Sequence, residues 1–267
     1  MSFSIAGKTA IVTGAANGIG LAISREFAAQ GAQVMMVDMD DKQLSKEAGD
    51  LPEDSKAEFF AGDLRERLTI ANLLSATIDA YDRVDILVNA SRQLMRTDPL
   101  DMDDDSISTM LNQNLLTSLR LSQAVAKRMI KQSAEDEREG SAGAIVNMSS
   151  IAACRTNPDL MGYSMATAAL DQMTRGLATA LAPHNIRVNA VAFGSVMSAS
   201  LKNLLKENPD FRDDIEAHTP LGRIAPPTEL ADTVRYLSSD ASAFMTGQIV
   251  TVDGGRTLID PVVSPAH

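Results

Sequence analysis

The stretch from Lys8 to Phe27 limits the possible folds more than any other. Thr9-Ala10-Ile11-Val12 reads as a buried strand, and Thr13 to Gly20 then packs Gly14, Gly18 and Gly20 into a short turn. Leu21 to Phe27 turns helical, with Ile19, Ala22, Ile23 and Phe27 on one face. Strand, glycine turn and helix in that order make an anion cradle. Glycine tolerates φ > 0 and lets a phosphate reach the backbone, while free N–H groups at the positive helix end attract it. The spacing G-x-x-x-G-x-G is a variant of the commoner G-x-G-x-x-G. A plain tight connection would look the same, so the rest of the chain decides.

Strand and helix alternate from there on. Gln33 to Val37 is a second apolar run, ended by Asp38. An acid at that place can accept both hydroxyls of an adenosine ribose and would repel a 2′-phosphate, which favours NAD over NADP. A solvated helix N-cap is the alternative, since Asp40 and Asp41 follow. Ala57–Ala61, Val84–Val88, Ala144–Met148, Ile186–Val191 and Gln248–Val252 read as further strands. Val84–Val88 is almost continuously apolar, as in a parallel strand covered on both faces. Helices are expected over Thr69–Tyr81, Ser106–Lys131, Met161–Leu181 and Glu229–Ser238. The fold class is therefore α/β: a Rossmann-like doubly wound parallel sheet of about seven strands in one domain spanning 1–267. The segment 194–227 reads as irregular with short helical pieces, a lid-like substrate segment. Ser133–Gly143 reads as a solvated connection, and the proline-rich tail from Asp260 as extended.

Composition narrows the partners. The net charge of −11 argues against a nucleic-acid or anionic-membrane surface. Cys154 is the only cysteine, and His184, His218 and His267 lie far apart, so neither a disulfide nor a metal cluster is expected. Met1-Ser2-Phe3-Ser4 has no leader pattern and no apolar run reaches the roughly 18 residues of a membrane span, which sets a cytoplasmic expectation.

Several motifs in order resemble the short-chain dehydrogenase/reductase family along nearly the whole chain. Thr13 to Gly20 matches its cofactor turn, Asp63-Leu64 its adenine-contacting pair, and Asn114, Ser150 and Tyr163 its active-site Asn, Ser and Tyr. Asn189-Ala190-Val191 and Val252-Asp253-Gly254-Gly255 match its late strands. The resemblance implies a nicotinamide-dependent oxidoreductase acting on a small carbonyl or alcohol, built as a homodimer or homotetramer on the two long helices. It further implies cofactor contacts from Gly14, Asn17, Gly18, Ile19, Gly20, Asp38, Asp63, Leu64, Asn89, Tyr163, Gly194 and Val196. In such sites the tyrosine exchanges a proton with the substrate oxygen, the serine holds that oxygen, and the asparagine backbone holds a relay water. A lysine four residues after the tyrosine supplies positive charge.

Here that lysine is replaced by Thr167. An unperturbed tyrosine has a pKa of about 10, so without a cation little phenolate forms at neutral pH. Asn89-Ala90-Ser91-Arg92 and Phe193-Gly194 also depart from the family's Asn-Asn-Ala-Gly and Pro-Gly. Arg92 stands where a glycine is usual, so its side chain must point somewhere new. Two readings stay open: a working NAD-dependent oxidoreductase, with Arg92 or Arg155 supplying charge, or a catalytically impaired relative that binds dinucleotide in a regulatory or assembly role. Met95, Met148, Met161, Met165 and Met197 surround the motifs and read either as core or as the wall of an apolar pocket.

Overall fold

The computed structural model describes residues 3–52, 55–136 and 140–260. Its strands are β1 (Thr9–Thr13), β2 (Gln33–Asp38), β3 (Ala57–Ala61), β4 (Ile86–Asn89), β5 (Gly143–Ser150), β6 (Ile186–Phe193) and β7 (Ile249–Val252). They pair side by side in parallel, in the order β3-β2-β1-β4-β5-β6-β7. The helices are α1 (Gly18–Ala29), α2 (Asp41–Gly49), α3 (Arg67–Tyr81), α4 (Ser106–Met110), α5 (Thr117–Glu135), α6 (Met161–Leu181), α7 (Ala199–Glu207), α8 (Phe211–Ala217) and α9 (Pro227–Ser238). None among the described residues is long and apolar enough to cross a membrane.

Alternate side chains of each central strand feed opposite faces. Val12, Val34, Met36, Val88 and Val146 pack with Ile23 and Phe27 of α1 and Val234 and Leu237 of α9. Ile11, Met35, Leu87, Ile145 and Val188 pack with Leu73 of α3 and Leu121, Val125 and Met129 of α5 on the other face. The strand order turns around at β1, which lies between β2 and β4. Ligand crevices of such sheets open at that point, beyond the carboxyl ends of the strands.

Two features go beyond the expectations. A helix, α2, follows β2; it buries only Leu44 and Glu47 and so shows almost no apolar period. The expected helix over Ser106–Lys131 is interrupted by a π turn, Leu111–Leu116, where the Thr117 N–H reaches back five residues to the Asn112 carbonyl. The short helical pieces expected within 194–227 are α7 and α8, and Ser198 caps α7 by accepting from the Leu201 N–H at 3.2 Å. The tail beyond Asp260 lies outside the described residues, as do 137–139 of the solvated connection.

Phe27 is 0% exposed beneath the sheet, whereas Phe244 is 106% exposed. Phe27→Ala is expected to cost about 3–5 kcal/mol in urea unfolding, and Phe244→Ala less than about 0.5 kcal/mol. Equal shifts of the unfolding midpoint would contradict this packing.

Candidate active site

Two cavities meet above the carboxyl ends of the strands. The first, about 420 Å³, is lined by Gly14, Asn17, Gly18, Ile19, Gly20 and Asp38, together with Arg92 and the start of α7. Its floor exists because side chains are missing. A Cβ on Gly20 would lie 2.2 Å from the Gly14 carbonyl oxygen, and one on Gly14 (φ +68) would lie 2.9 Å from the Ala90 carbonyl. No side chain caps the start of α1 and no acid sits in its first turn, so the positive helix end is left open to an anion.

Asp38 braces this turn. One carboxylate oxygen accepts from the Ala16 N–H at 3.1 Å, and the other from the N–H groups of Met39 at 2.7 Å and Asp40 at 3.2 Å. The N-cap of α2 is Asp40, which accepts from the Gln43 N–H at 3.1 Å, so the alternative reading of Asp38 as that cap does not hold. Leu64 lines a small recess beside Gly14 and Asp38. Asp63 is turned to Arg65, which holds its carboxyl below the usual carboxylate range through a side-chain hydrogen bond at 2.6 Å. Asn89 is buried beneath the site, where its amide donates to Ser122 Oγ at 3.0 Å and Asn147 Oδ1 at 2.8 Å; the structure does not bring it to either cavity.

The second cavity, about 450 Å³, is lined by Ser150, Tyr163, Phe193, Gly194, Val196 and Arg92, among others. Gly194 and Val196 thus face this space and not the first cavity. Ser150 Oγ accepts from the Ala152 N–H at 3.1 Å, which leaves its own O–H to donate. Arg92 Nη1 donates to Tyr163 Oη at 2.9 Å, and the guanidinium carbon lies 4.5 Å from the centre of the Phe193 ring. A guanidinium donates and cannot accept, so Arg92 does not use the tyrosine's own hydrogen. Thr167 folds back on its helix, donating to the Tyr163 carbonyl at 2.9 Å and the Ser164 carbonyl at 3.1 Å. The other candidate for the missing charge, Arg155, donates to the Thr257 carbonyl.

Asn114 sits in the π turn, a common place for functional residues in helices. Its side chain grips the backbone of Gln93, accepting from the N–H at 2.7 Å and donating to the carbonyl at 2.8 Å. Its own carbonyl accepts from Ser118 Oγ at 3.2 Å. Asn114 therefore fixes the residue next to Arg92. The sequence does not name this partner, because the extra residue of the π turn leaves no mark on the apolar pattern. None of the five methionines read as a pocket wall lines either cavity; Met148 is core, at 6% exposure. The walls come from Leu160, Leu201 and Ile215, which no motif marked.

A family model described as enoyl-(acyl carrier protein) reductase matches residues 14–257. A 3-oxoacyl-[acyl-carrier-protein] reductase FabG of Thermotoga maritima is 34% identical over 255 residues, covering 94% of this chain and 98% of the relative. A galactitol 2-dehydrogenase (L-tagatose-forming) of Cereibacter sphaeroides is 34% identical over 96% of this chain and 97% of the relative. Among solved structures, a 7α-hydroxysteroid dehydrogenase complexed with NADH and 7-oxo glycochenodeoxycholic acid superposes with a TM-score of 0.87 at 30% identity, covering 95% of each chain.

Removing the Asn114 amide strips two backbone groups of Gln93 of their partner. Asn114→Ala should cost about 1–3 kcal/mol in urea unfolding. It should also speed hydrogen exchange at the Gln93 amide at least roughly tenfold beyond the change at core amides. Unchanged exchange there would show that Asn114 does not hold this loop.

Proposed function

The chain belongs to the short-chain dehydrogenase/reductase family of oxidoreductases, and on that premise we propose that it interconverts a carbonyl and an alcohol with NAD(H), Tyr163 moving the proton and Arg92 taking the place of the missing ammonium. The observation that carries this reading is the 2.9 Å hydrogen bond from the Arg92 guanidinium to the Tyr163 hydroxyl, in the same cavity wall as Ser150.

The residues present fit a dinucleotide. Glycines at 14, 18 and 20 leave room for phosphates against the backbone and the open end of α1, and Asp38 at the cavity wall suits free ribose hydroxyls and repels a 2′-phosphate. A solved relative that holds NADH supports the same choice. When bound, the coenzyme supplies or removes a hydride at the substrate carbon.

The chain's own residues handle the oxygen. In the reducing direction the substrate carbonyl oxygen accepts from the free O–H groups of Ser150 and Tyr163. The Tyr163 O–H bond then breaks and its proton passes to that oxygen, giving the hydroxyl. Negative charge develops on Tyr163 Oη beside a guanidinium that stays protonated at any working pH, in a pocket where Tyr163 is only 3% exposed. Oxidation runs the same transfer backwards. Thr167 contributes no charge, since its hydroxyl is committed to helix carbonyls.

A second reading, a dinucleotide-binding relative without turnover, draws on one observation: Arg92 stands where the two cavities join. Assembly as a homodimer or homotetramer is proposed through α5 and α6, where Ala126, Ile130, Leu177 and Leu181 line an apolar groove. A cytoplasmic location completes the reading.

With NADH and a carbonyl panel, Tyr163→Phe should lower kcat at least about 10²-fold, far more than it changes the NADH dissociation constant. Arg92→Ala should lower kcat at least about tenfold, Arg92→Lys less, and Thr167→Lys should bring no gain. NADH binding without turnover, with activity appearing in Thr167→Lys, would establish the second reading instead. For the coenzyme, calorimetry should show NADH bound more tightly than NADPH, with the gap narrowed in Asp38→Asn; equal affinities in the natural chain would remove the role given to Asp38.

A further inference from the structure

The second cavity is chemically lopsided. Arg92, Arg155 and Arg256 line it and no Asp or Glu does, in a chain whose net charge is −11. Arg92 is engaged at Tyr163. Arg155 and Arg256 come from different parts of the chain, the loop after β5 and the turn Arg256–Leu258 after β7. They are tied together, because Arg155 donates through Nη2 to the Thr257 carbonyl.

Acids near this wall have other work. Asp253 spends one oxygen on the Gly255 N–H at 2.9 Å and the other on the Thr257 N–H at 2.7 Å, which fixes the turn that presents Arg256. Asp159 pairs with Arg96 at 3.4 Å, and Glu216 with Arg212 at 3.3 Å. Asp214 faces His218 at 3.2 Å, while its neighbour Ile215 turns into the cavity. Among the described residues no ion pair within 4.0 Å is seen for Arg256 or Arg155, and Arg155 is turned to the Thr257 carbonyl. The same cavity is lined by the apolar side chains of Ile151, Leu160, Leu201 and Ile215, beside the polar Thr156, Asn157, Ser195 and Ser198.

We propose that this cavity selects carbonyl or alcohol substrates that end in an anionic group, a carboxylate or a phosphate monoester, which Arg155 and Arg256 hold while Ser150 and Tyr163 engage the reacting oxygen. The proposal rests on the oxidoreductase reading above and adds the substrate class. Guanidinium N–H groups match both oxyanions in bidentate fashion, and the apolar side chains in the lining suit the carbon chain of such a substrate. Screening should weaken this grip at the cavity mouth, where Arg155 is exposed.

The test measures NADH oxidation on matched pairs: 5-oxohexanoate against its methyl ester, and dihydroxyacetone phosphate against dihydroxyacetone. In at least one pair the anion should have a kcat/KM about tenfold or more above its neutral partner, worth ~1.4 kcal/mol; the pair that shows it tells carboxylate from phosphate. The advantage should vanish in the Arg155→Gln/Arg256→Gln double variant, with kcat/KM for the neutral partner held within about twofold. KM for the anion, and not for the neutral compound, should rise as NaCl is raised to about 0.5 M. Equal rates for both members of each pair, or an advantage that survives in the double variant, would overturn the proposal. Thermal-shift titrations with hexanoate, glycerol phosphate and hexanamide read binding without turnover. If no pair is turned over, the oxidoreductase reading fails. In that case stabilisation by an anion alone, lost in the double variant, would uphold the anion site, and its absence would sink it.

Discussion

Everything at the carboxyl end of the sheet depends on how closely two stretches of backbone approach in the β1–α1 turn. The Gly20 α-carbon lies so near the Gly14 carbonyl that no side chain fits between them, and Gly14 in turn lies against Ala90 and Ser91 at the end of β4. The turn is locked from three sides. The Ala15 N–H donates to the Val37 carbonyl at 3.1 Å, and the Ala16 N–H donates to Asp38. Thr13 Oγ1 accepts from the N–H groups of both Ala90 and Ser91, each at 3.0 Å. Thr13 and Asp38 thereby fix the turn to the ends of β2 and β4. The segment that leaves β4 carries Ser91, Arg92 and Gln93, so the place of the cationic side chain is set by the same contacts that shape the anion cradle.

From that segment the constraint passes to the long helix and back. Asn114 lies within the π turn at Leu111–Leu116, and its side chain reaches the backbone of the segment that leaves β4. Asn114 holds Gln93 by two hydrogen bonds, Arg92 lies one residue earlier, and Arg92 meets Tyr163 on α6. Phe193, in place of a proline at the end of β6, gives the guanidinium a flat face to rest on. Four elements thus converge on one phenolic oxygen, and each contact is directional. A long arginine held by one hydrogen bond would be loose; one also stacked on a ring, with its neighbouring backbone gripped, is held in place.

What the sequence made legible follows from which physical signals survive in one dimension. The strands showed because a parallel sheet covered on both faces demands unbroken apolar runs, and α6 showed end to end because Tyr163, Thr167, Leu170 and Thr174 keep a helical period. Gly14, Gly18 and Gly20 were legible because the turn's positive φ values and close approaches demand glycine. Other features leave no such trace. One extra residue in a helical turn does not alter an apolar stripe, so the π turn was invisible and the sequence does not name the partner of Asn114. α2 offers only Leu44 as an apolar anchor and reads as surface. Asn89 sits at the right strand end, but its buried neighbours Ser122 and Asn147 come from distant segments, and only the fold shows that they absorb its amide. The direction of the Arg92 side chain is a matter of rotamer and ring contact, which residue identity alone does not state.

On the proposed reading, Thr167 and Arg92 form one arrangement. Residues four apart on a helix share a face, so an ammonium at 167 would reach toward the same phenol that Arg92 already touches. Two unit positive charges about 4 Å apart repel by ~4 kcal/mol at an effective dielectric of 20, and the pocket wall carries no carboxylate to offset them. A threonine avoids that repulsion. It is 3% exposed, and its hydroxyl finds acceptors within its own helix, so no buried donor is stranded. The positive charge therefore sits on the β4 side of the phenol instead of one helical turn beyond it. A cation there lines both cavities.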